Sequence, residues 1–253
     1  MRRVRRWLLF LSPVFITVLV LFSIPHSRLH IIAVVSGEPY FDEKPLSYWA
    51  YLLHDENAVV RKQAAFRLGE AGAIAKPVVP ELAGATTDSS EDVRITATLS
   101  LYKIGPAASA AVPALIAALS DPHPQVRMNS ALALSALGCE ARDAVAALLD
   151  AMKRRENFVV VPPFAHSVRQ QSCRALGKIG PDAHAAIPAL VEALHDGVPG
   201  VRYNAVYALG RIGPNARPTL PKLRLCLNDE DPDVRDMAAE SISLLSEDDR
   251  VVP

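Results

Sequence analysis

The sequence predicts an all-α protein, a right-handed α-solenoid of about six two-helix repeats preceded by one transmembrane or signal-anchor helix. Three observations predict this fold class. A Val-Arg pair recurs with its valine at 60, 93, 126, 168, 201 and 234, at intervals of 33, 33, 42, 33 and 33 residues. The chain is 50% hydrophobic but only 6% aromatic, and much of its apolar content is alanine, the best helix former. An uncharged run follows four arginines at the N-terminus.

The uncharged run, from Trp7 to Ile24, would span about 27 Å as a helix, close to the hydrocarbon thickness of a bilayer. By the positive-inside rule, the basic tail 1–6 stays in the cytoplasm and the rest of the chain crosses the membrane. An uncleaved anchor is favoured, because the nearest candidate cleavage site, Val-Val-Ser-Gly at 34–37, is a poor one. Secretion after cleavage is the alternative. Residues 25–43 are then a linker.

The repeats share turn residues at fixed distances from the valine. An aspartate stands five residues before it, except in the fourth repeat, where Pro163 takes this place. A further eight residues upstream stands a proline, or Ser47 in the first repeat, which suits the first turn of a helix. The aspartate is expected to cap the second helix of each pair. Twelve residues after the valine, glycine is expected to end that helix in the left-handed conformation, as at Gly72, Gly105, Gly138, Gly180 and Gly213.

The second helix of each pair carries a core stripe at offsets 0, +4, +8 and +11 from the valine, which fall within about 80° of one another on a helix. The repeats fill residues 44–246, and 247–253 form a polar C-terminal tail. The 42-residue interval places nine additional residues in an inserted loop at about 155–166, where Pro162 and Pro163 forbid helix. This loop either folds back onto the stack or is bound by a partner through its apolar residues, which include Phe158, Val160 and Phe164.

The repeated pattern D....VR..A..ALG.IGP.A....PAL..AL.D resembles HEAT repeats, in the short form called phycobilisome-lyase-type HEAT-like repeats. The resemblance covers about residues 45–246. It implies a hydrogen-bonded ladder of aspartates and arginines, six residues apart, along the stack, in which Arg169 lacks its partner. The implied pairs are Asp55/Arg61, Asp88/Arg94, Asp121/Arg127, Asp196/Arg202 and Asp229/Arg235.

Function in such a solenoid is expected on its concave face, the surface lined by the second helices. Offsets +2, +6 and +9 point away from the core stripe and should be exposed. In repeats one, two, three and five they hold large apolar or aromatic side chains, which predict a protein-binding surface: Phe66, Ile95, Leu99, Tyr102, Met128, Leu132, Tyr203 and Tyr207. The sequence therefore predicts a membrane-anchored, non-catalytic interaction scaffold with a protein partner and no cofactor.

Other functions are less well supported by the sequence. Without the five arginines of residues 1–36, the chain has 22 basic and 27 acidic residues, which argues against a nucleic-acid partner. Some enzymes built on these repeats, such as deoxyhypusine hydroxylase, hold iron through His-Glu dipeptides, and this sequence has none. The alternative is a metal-binding or enzymatic repeat protein, related to lyases or hydroxylases. Its weak candidate site is an edge formed by His123, His166 and His195.

Overall fold

The computed structural model describes residues 25–154, 158–161 and 164–247. The predicted anchor at 7–24 and the basic tail at 1–6 lie outside the described residues. The predicted linker contains a helix, α1 (Pro25–Ser36), and a short antiparallel hairpin of β1 (Tyr40–Phe41) and β2 (Lys44–Pro45). Among the described residues, one helical stretch is long and apolar enough to cross a membrane, Glu91–Ala118, and it lies within the repeats. Non-helical backbone angles at Ala108 interrupt this stretch.

Six helix pairs follow the hairpin, in the register that the Val-Arg pairs predict. Each pair has a short first helix and a second helix of 12 to 16 residues. The pairs are α2 (Leu46–Leu52) with α3 (Ala58–Glu70), α4 (Val79–Gly84) with α5 (Glu91–Ile104), α6 (Val112–Ala118) with α7 (Pro124–Leu137), α8 (Val145–Lys153) with α9 (Val168–Ile179), α10 (Ile187–Ala193) with α11 (Pro199–Ile212), and α12 (Leu220–Leu225) with α13 (Pro232–Glu247).

The turn residues lie close to where the sequence predicts them. Proline occupies the first or second position of α4, α6, α10 and α12, where no helical hydrogen bond is lost. A 3-10 segment that begins at the repeat glycine joins each second helix to the next first helix. The glycines have positive φ, as predicted, but Gly105 has φ 67° and ψ −142°, so the prediction of left-handed helical geometry is wrong. This mirror image of extended backbone is open to glycine alone.

The core lies between the row of first helices and the row of second helices, and the predicted stripe forms its centre. In the second repeat Val93, Ala97, Leu101 and Ile104 are all buried, and the same positions are buried in the third, fourth and fifth repeats. Neighbouring second helices pack along their lengths in chain order, whereas neighbouring first helices contact each other far less. The second helices therefore form the inner side of the stack.

The inserted segment forms a second antiparallel hairpin, of β3 (Phe158–Val161) and β4 (Phe164–Ser167), with Phe158 opposite Ser167. The prediction of an all-α chain therefore misses two small hairpins. Strand β3 lies against α7, so the first of the two alternatives for this segment, folding back onto the stack, agrees with the structure. Pro162 and Pro163 lie outside the described residues.

Candidate protein-binding surface

The concave face consists of the exposed side of α3, α5, α7, α9, α11 and α13. Of its eight predicted binding residues, Phe66 and Tyr102 are the most exposed, at 43% and 38%. The other six, from Ile95 to Tyr207 along the chain, are half-buried. They are less exposed than predicted because the helices that carry them, α5, α7 and α11, are each flanked on both sides by other second helices, which cover the base of each side chain. The eight residues nevertheless line the surface from α3 to α11.

Offset +9 is the position at which the exposure prediction is wrong in most repeats. Gly69, Ser135, Gly177 and Gly210 are buried there, although Tyr102 at the same offset is exposed. A Cβ added to Gly177 would lie 2.7 Å from a ring carbon of Tyr207 and 2.9 Å from the Cα of Ala208. Small residues at this offset therefore let the backbones of adjacent second helices approach closely.

Charged neighbours hold the aromatic side chains of the concave face. The Lys103 ammonium lies 4.9 Å from the centre of the Phe66 ring and pairs with Glu70. The Lys178 ammonium lies 5.8 Å from the centre of the Tyr207 ring. Both distances lie within the range of cation–π attraction.

Burial, and then the negative charges of Glu240 and Asp233, raise the pKa of Tyr203 above its ordinary value, so this phenol stays protonated near neutral pH.

A depression of about 300 Å³ opens where α5, α7 and α9 meet, and we name it the α7 cleft. Small residues near the end of α7, Ser135, Ala136 and Gly138, contribute to its lining. Tyr102 comes from α5, while Arg174 and Lys178 come from α9, and Leu132 of α7 completes the set. The lining thus combines apolar surface with two cations and contains no acidic side chain.

A ladder of arginines and aspartates runs along one edge of the stack, where first and second helices meet. Arg61 donates from Nε and Nη2 to the Asp88 carboxylate, at 2.7 and 2.8 Å, and from Nη1 to the Asp55 carbonyl oxygen, at 2.8 Å. Arg94 and Arg202 repeat this geometry. Each predicted pair within a repeat is therefore joined through the backbone carbonyl of its aspartate. The carboxylates of the four later aspartates bind the arginine of the preceding repeat, as in Asp88, Asp121, Asp196 and Asp229.

This direction of pairing corrects two predictions from the sequence. Arg169 has a partner, since it forms an ion pair with Asp196 of the next repeat. The aspartates do not cap the second helices directly, because Asp121 Oδ1 accepts from the backbone N–H of His123, and the imidazole of His123 in turn caps α7. The same two-residue turn recurs at Asp55, Asp88, Asp196 and Asp229. The aspartate therefore orders the turn that leads to the cap.

Hydrogen bonds from arginine set the ionisation of the ladder carboxylates. The bond from Arg61 holds the pKa of the Asp88 carboxyl below its ordinary value, and the bond from Arg202 does the same for Asp229. Burial acts in the opposite direction in both aspartates and is the smaller effect. The lowered pKa values keep both carboxylates ionised near neutral pH.

The described side chains do not support the metal site that the sequence suggests at His123, His166 and His195. His123 Nδ1 accepts from the Gln125 N–H at 3.2 Å, and His195 is exposed on the turn before α11. The side chain of His166 lies outside the description. Among the residues that are described, no group of three histidine, cysteine, aspartate or glutamate side chains is placed to hold a metal ion.

The sequence matches the family of HEAT repeats over residues 47–111, 107–161 and 164–243. No curated protein matches it. Among solved structures, the complex of CpcE and CpcF of phycocyanin lyase from Nostoc sp. PCC7120 is similar, with 25% identity over 82% of this chain and 82% of that chain, and a TM-score of 0.56.

Two synthetic proteins are similar in fold. A designed armadillo repeat protein in complex with the peptide (KR)4 has a TM-score of 0.66 and 15% identity over 79% of this chain and 99% of that chain. An engineered protein has a TM-score of 0.65 and 20% identity, covering 80% of this chain and 98% of that one.

Proposed function

The chain belongs to the family of HEAT repeats, and from this premise we propose that it is a membrane-anchored, non-catalytic scaffold that binds a protein partner on its concave face. The observation that carries the proposal is the row of eight large apolar or aromatic side chains along the second helices. Apolar surface of this kind is typical of protein-binding sites, and between α3 and α11 it is interrupted at α9, where Gln170 and Arg174 stand at the same offsets. Aromatic residues are also the ones that most often dominate binding energy.

One of the similar solenoids supports a peptide-binding role. The designed armadillo repeat protein named above was solved in complex with the peptide (KR)4, so a protein of similar fold can bind a peptide. Half-buried aromatic residues favour such binding here, because side chains already held by their neighbours lose little conformational entropy when a partner docks. The absence of His-Glu dipeptides from the sequence favours binding over iron-dependent catalysis.

Membrane attachment is part of the proposal and rests on the sequence. Residues 7–24 are apolar and uncharged, and arginines 2, 3, 5 and 6 precede them, which favours an uncleaved single span with the repeats outside the cytoplasm. Alkaline extraction of membranes should leave the full-length chain in the pellet, and protease added to sealed cytoplasmic-membrane vesicles of known orientation should cut the repeats only from the extracytoplasmic side. Recovery of a soluble chain that starts near residue 37 would contradict the anchor and support secretion.

Photo-crosslinking tests the binding function. A crosslinking amino acid at position 207 of the full-length chain, expressed in cells, should capture one dominant protein partner. The control position is Leu225 on α12, which is 67% exposed but lies outside the concave face. Equal capture of the same protein from both positions would contradict a specific site on this face.

A pair of substitutions tests the same surface by loss of binding. Leu99→Glu with Tyr207→Glu should abolish co-purification of the partner that is identified by crosslinking, because two charges would lie within the apolar row. The matched control is Leu225→Glu with Leu227→Glu, which places the same charges on exposed leucines outside the concave face. Helical circular dichroism of both variants should match the wild type. Partner binding that survives the first pair, with the fold intact, would rule out this face.

A further inference from the structure

We propose that the α7 cleft recognises an acidic peptide segment of the partner, one in which aspartate or glutamate stands beside a large apolar side chain. This inference rests on the proposed function and adds the chemistry of the ligand. The α7 cleft lies within the concave face and combines the two features that such a segment requires, namely an apolar recess and uncompensated positive charge.

The recess exists because one helix carries small residues where its neighbours carry long ones. At offset +10 from the valine stand Lys103 on α5, Ala136 on α7 and Lys178 on α9. Ala136 has only a methyl group, so a gap remains on the α7 side of Lys178, and Ser135 and Gly138 extend it toward the end of α7. A side chain from a partner can enter this gap without any rearrangement of the helices.

Apolar surface leads into the recess from the rest of the concave face. Tyr102 and Leu132 line it, and Leu99 and Met128 lie one turn earlier on the same two helices. The predicted apolar binding residues continue beyond the recess to Phe66 on α3, so a ligand that follows them is an extended chain rather than a small molecule. The apolar anchor of the peptide therefore sits against Tyr102 and Leu132.

The charge at the recess is positive and is not neutralised by the described residues. Arg174 and Lys178 are exposed, and among the described residues no acidic side chain forms an ion pair with either of them or with Arg211, at offset +10 of the next repeat. In contrast, Lys103 is paired with Glu70. Carboxylates are the protein groups that complement this cluster, since a guanidinium binds a carboxylate through two parallel hydrogen bonds.

Peptide selection tests the proposal. The probe is a display library of random peptides, selected on the full-length chain purified in detergent. The selected sequences should be enriched in aspartate and glutamate next to aromatic or aliphatic residues. Arg174→Glu with Lys178→Glu should weaken the binding of a selected peptide by about tenfold at low salt, since two ion pairs are replaced by repulsion. The same variant, used as the target of a new selection, should enrich lysine and arginine instead.

The matched control is Lys222→Glu with Arg224→Glu on α12, which makes the same change of charge on exposed residues of a first helix. It should leave peptide binding unchanged. If the selected peptides are neutral or basic, or if both double variants weaken binding equally, the acidic ligand is ruled out.

The proposed function is tested separately by Leu99→Glu with Tyr207→Glu. Neutral or basic selected peptides that this variant fails to bind would leave the concave face as the binding surface and overturn only its acidic preference. Selected peptides that bind this variant as tightly as the wild type would contradict both proposals, and so would a selection that enriches no sequence.

Discussion

At the scale of single residues, Arg61, Arg94 and Arg202 each join two repeats through two kinds of acceptor. Arg202 donates to the Asp196 carbonyl oxygen of its own repeat and, through two nitrogens, to the Asp229 carboxylate of the next. Its residue surface is only 7% exposed. Paired, charge-assisted hydrogen bonds of this kind are stronger than neutral ones, and removing one partner leaves the other charge poorly solvated.

Arg202→Ala should therefore lower the free energy of unfolding by about 1–3 kcal/mol. The matched variant is Arg235→Ala in the last repeat, where the arginine donates to the backbone carbonyl oxygens of Asp229 and Glu230. It should cost less than Arg202→Ala. Urea denaturation followed by circular dichroism measures both changes. Equal losses would show that the inter-repeat carboxylate adds no stability.

The sequence located the ladder residues but not their pairing. The resemblance to HEAT repeats implies that aspartate and arginine form a ladder, and all five arginines assigned to it donate to the backbone carbonyl oxygen of the aspartate six residues earlier. The spacing cannot show which repeat an arginine side chain reaches, because a neighbouring repeat 33 residues away can present its aspartate at a similar distance. Pro163 stands at the aspartate position of the fourth repeat, so the pattern predicts no partner for Arg169, whereas the structure pairs it with Asp196.

At the scale of elements, the second helices are in contact on three sides, and this explains the errors in predicted exposure. The prediction of exposure from a hydrophobic stripe assumes that a helix has one buried face and one exposed face. A second helix also contacts the second helices before and after it, so offset +9 becomes a contact between helices. Periodicity within one helix contains no information about its lateral neighbours.

Gly177→Ala should destabilise the protein by about 1–3 kcal/mol, because the new methyl group would force apart α9 and α11 at the Tyr207 ring and the Ala208 backbone. The matched control is Gly84→Ala at the end of α4, where an added Cβ meets nothing within 4 Å. Alanine there should be neutral or stabilising by up to about 1 kcal/mol, since it favours helix. Thermal unfolding of the two variants distinguishes the effect of the close contact between α9 and α11 from the effect of helix propensity. A neutral Gly177→Ala would mean that the two helices can move apart freely.

The two hairpins are the elements that the sequence did not predict. The run from Phe158 to Val161 is uniformly apolar, without the alternation that marks a half-buried strand, and two prolines follow it. The strand pairs with β4 and lies against α7, which is distant in sequence, so local sequence patterns do not reveal this contact. The predicted binding residues, in contrast, do lie on one surface, since the register that places them is the register of the repeats themselves.

At the scale of the whole molecule, the ladder makes the cohesion of the stack depend on pH. Asp88 and Asp229 have pKa values below the ordinary aspartate value in the folded chain. A lowered pKa in the folded state stabilises the fold above the ordinary pKa, and this contribution is lost as pH falls through the folded value. The ionised carboxylates therefore stabilise the stack at neutral pH, and this stabilisation is lost in acid.

We expect the melting temperature of the wild type to fall more steeply than that of Asp88→Asn with Asp229→Asn as the pH decreases below about 4. At neutral pH the double variant should be the less stable of the two. The difference between the two proteins should narrow as the pH falls through the folded-state pKa values and the wild-type carboxylates become protonated. Melting curves recorded by circular dichroism at each pH measure the difference. If the difference in melting temperature stayed constant from pH 7 to pH 2, the ionised carboxylates of the ladder would not be its cause.

The ladder bond also has a consequence for how the gene can change. Arg61, Arg94, Arg169 and Arg202 each reach an aspartate 27 residues further along the chain, so these four junctions are chemically interchangeable. Deletion or duplication of 33 codons restores the same arginine–aspartate pair at the new boundary between repeats. The junction after Arg127 differs, because nine inserted residues place Pro163 at the aspartate position. Unequal recombination can therefore shorten or lengthen either arm of the protein, while its middle is inherited as one block.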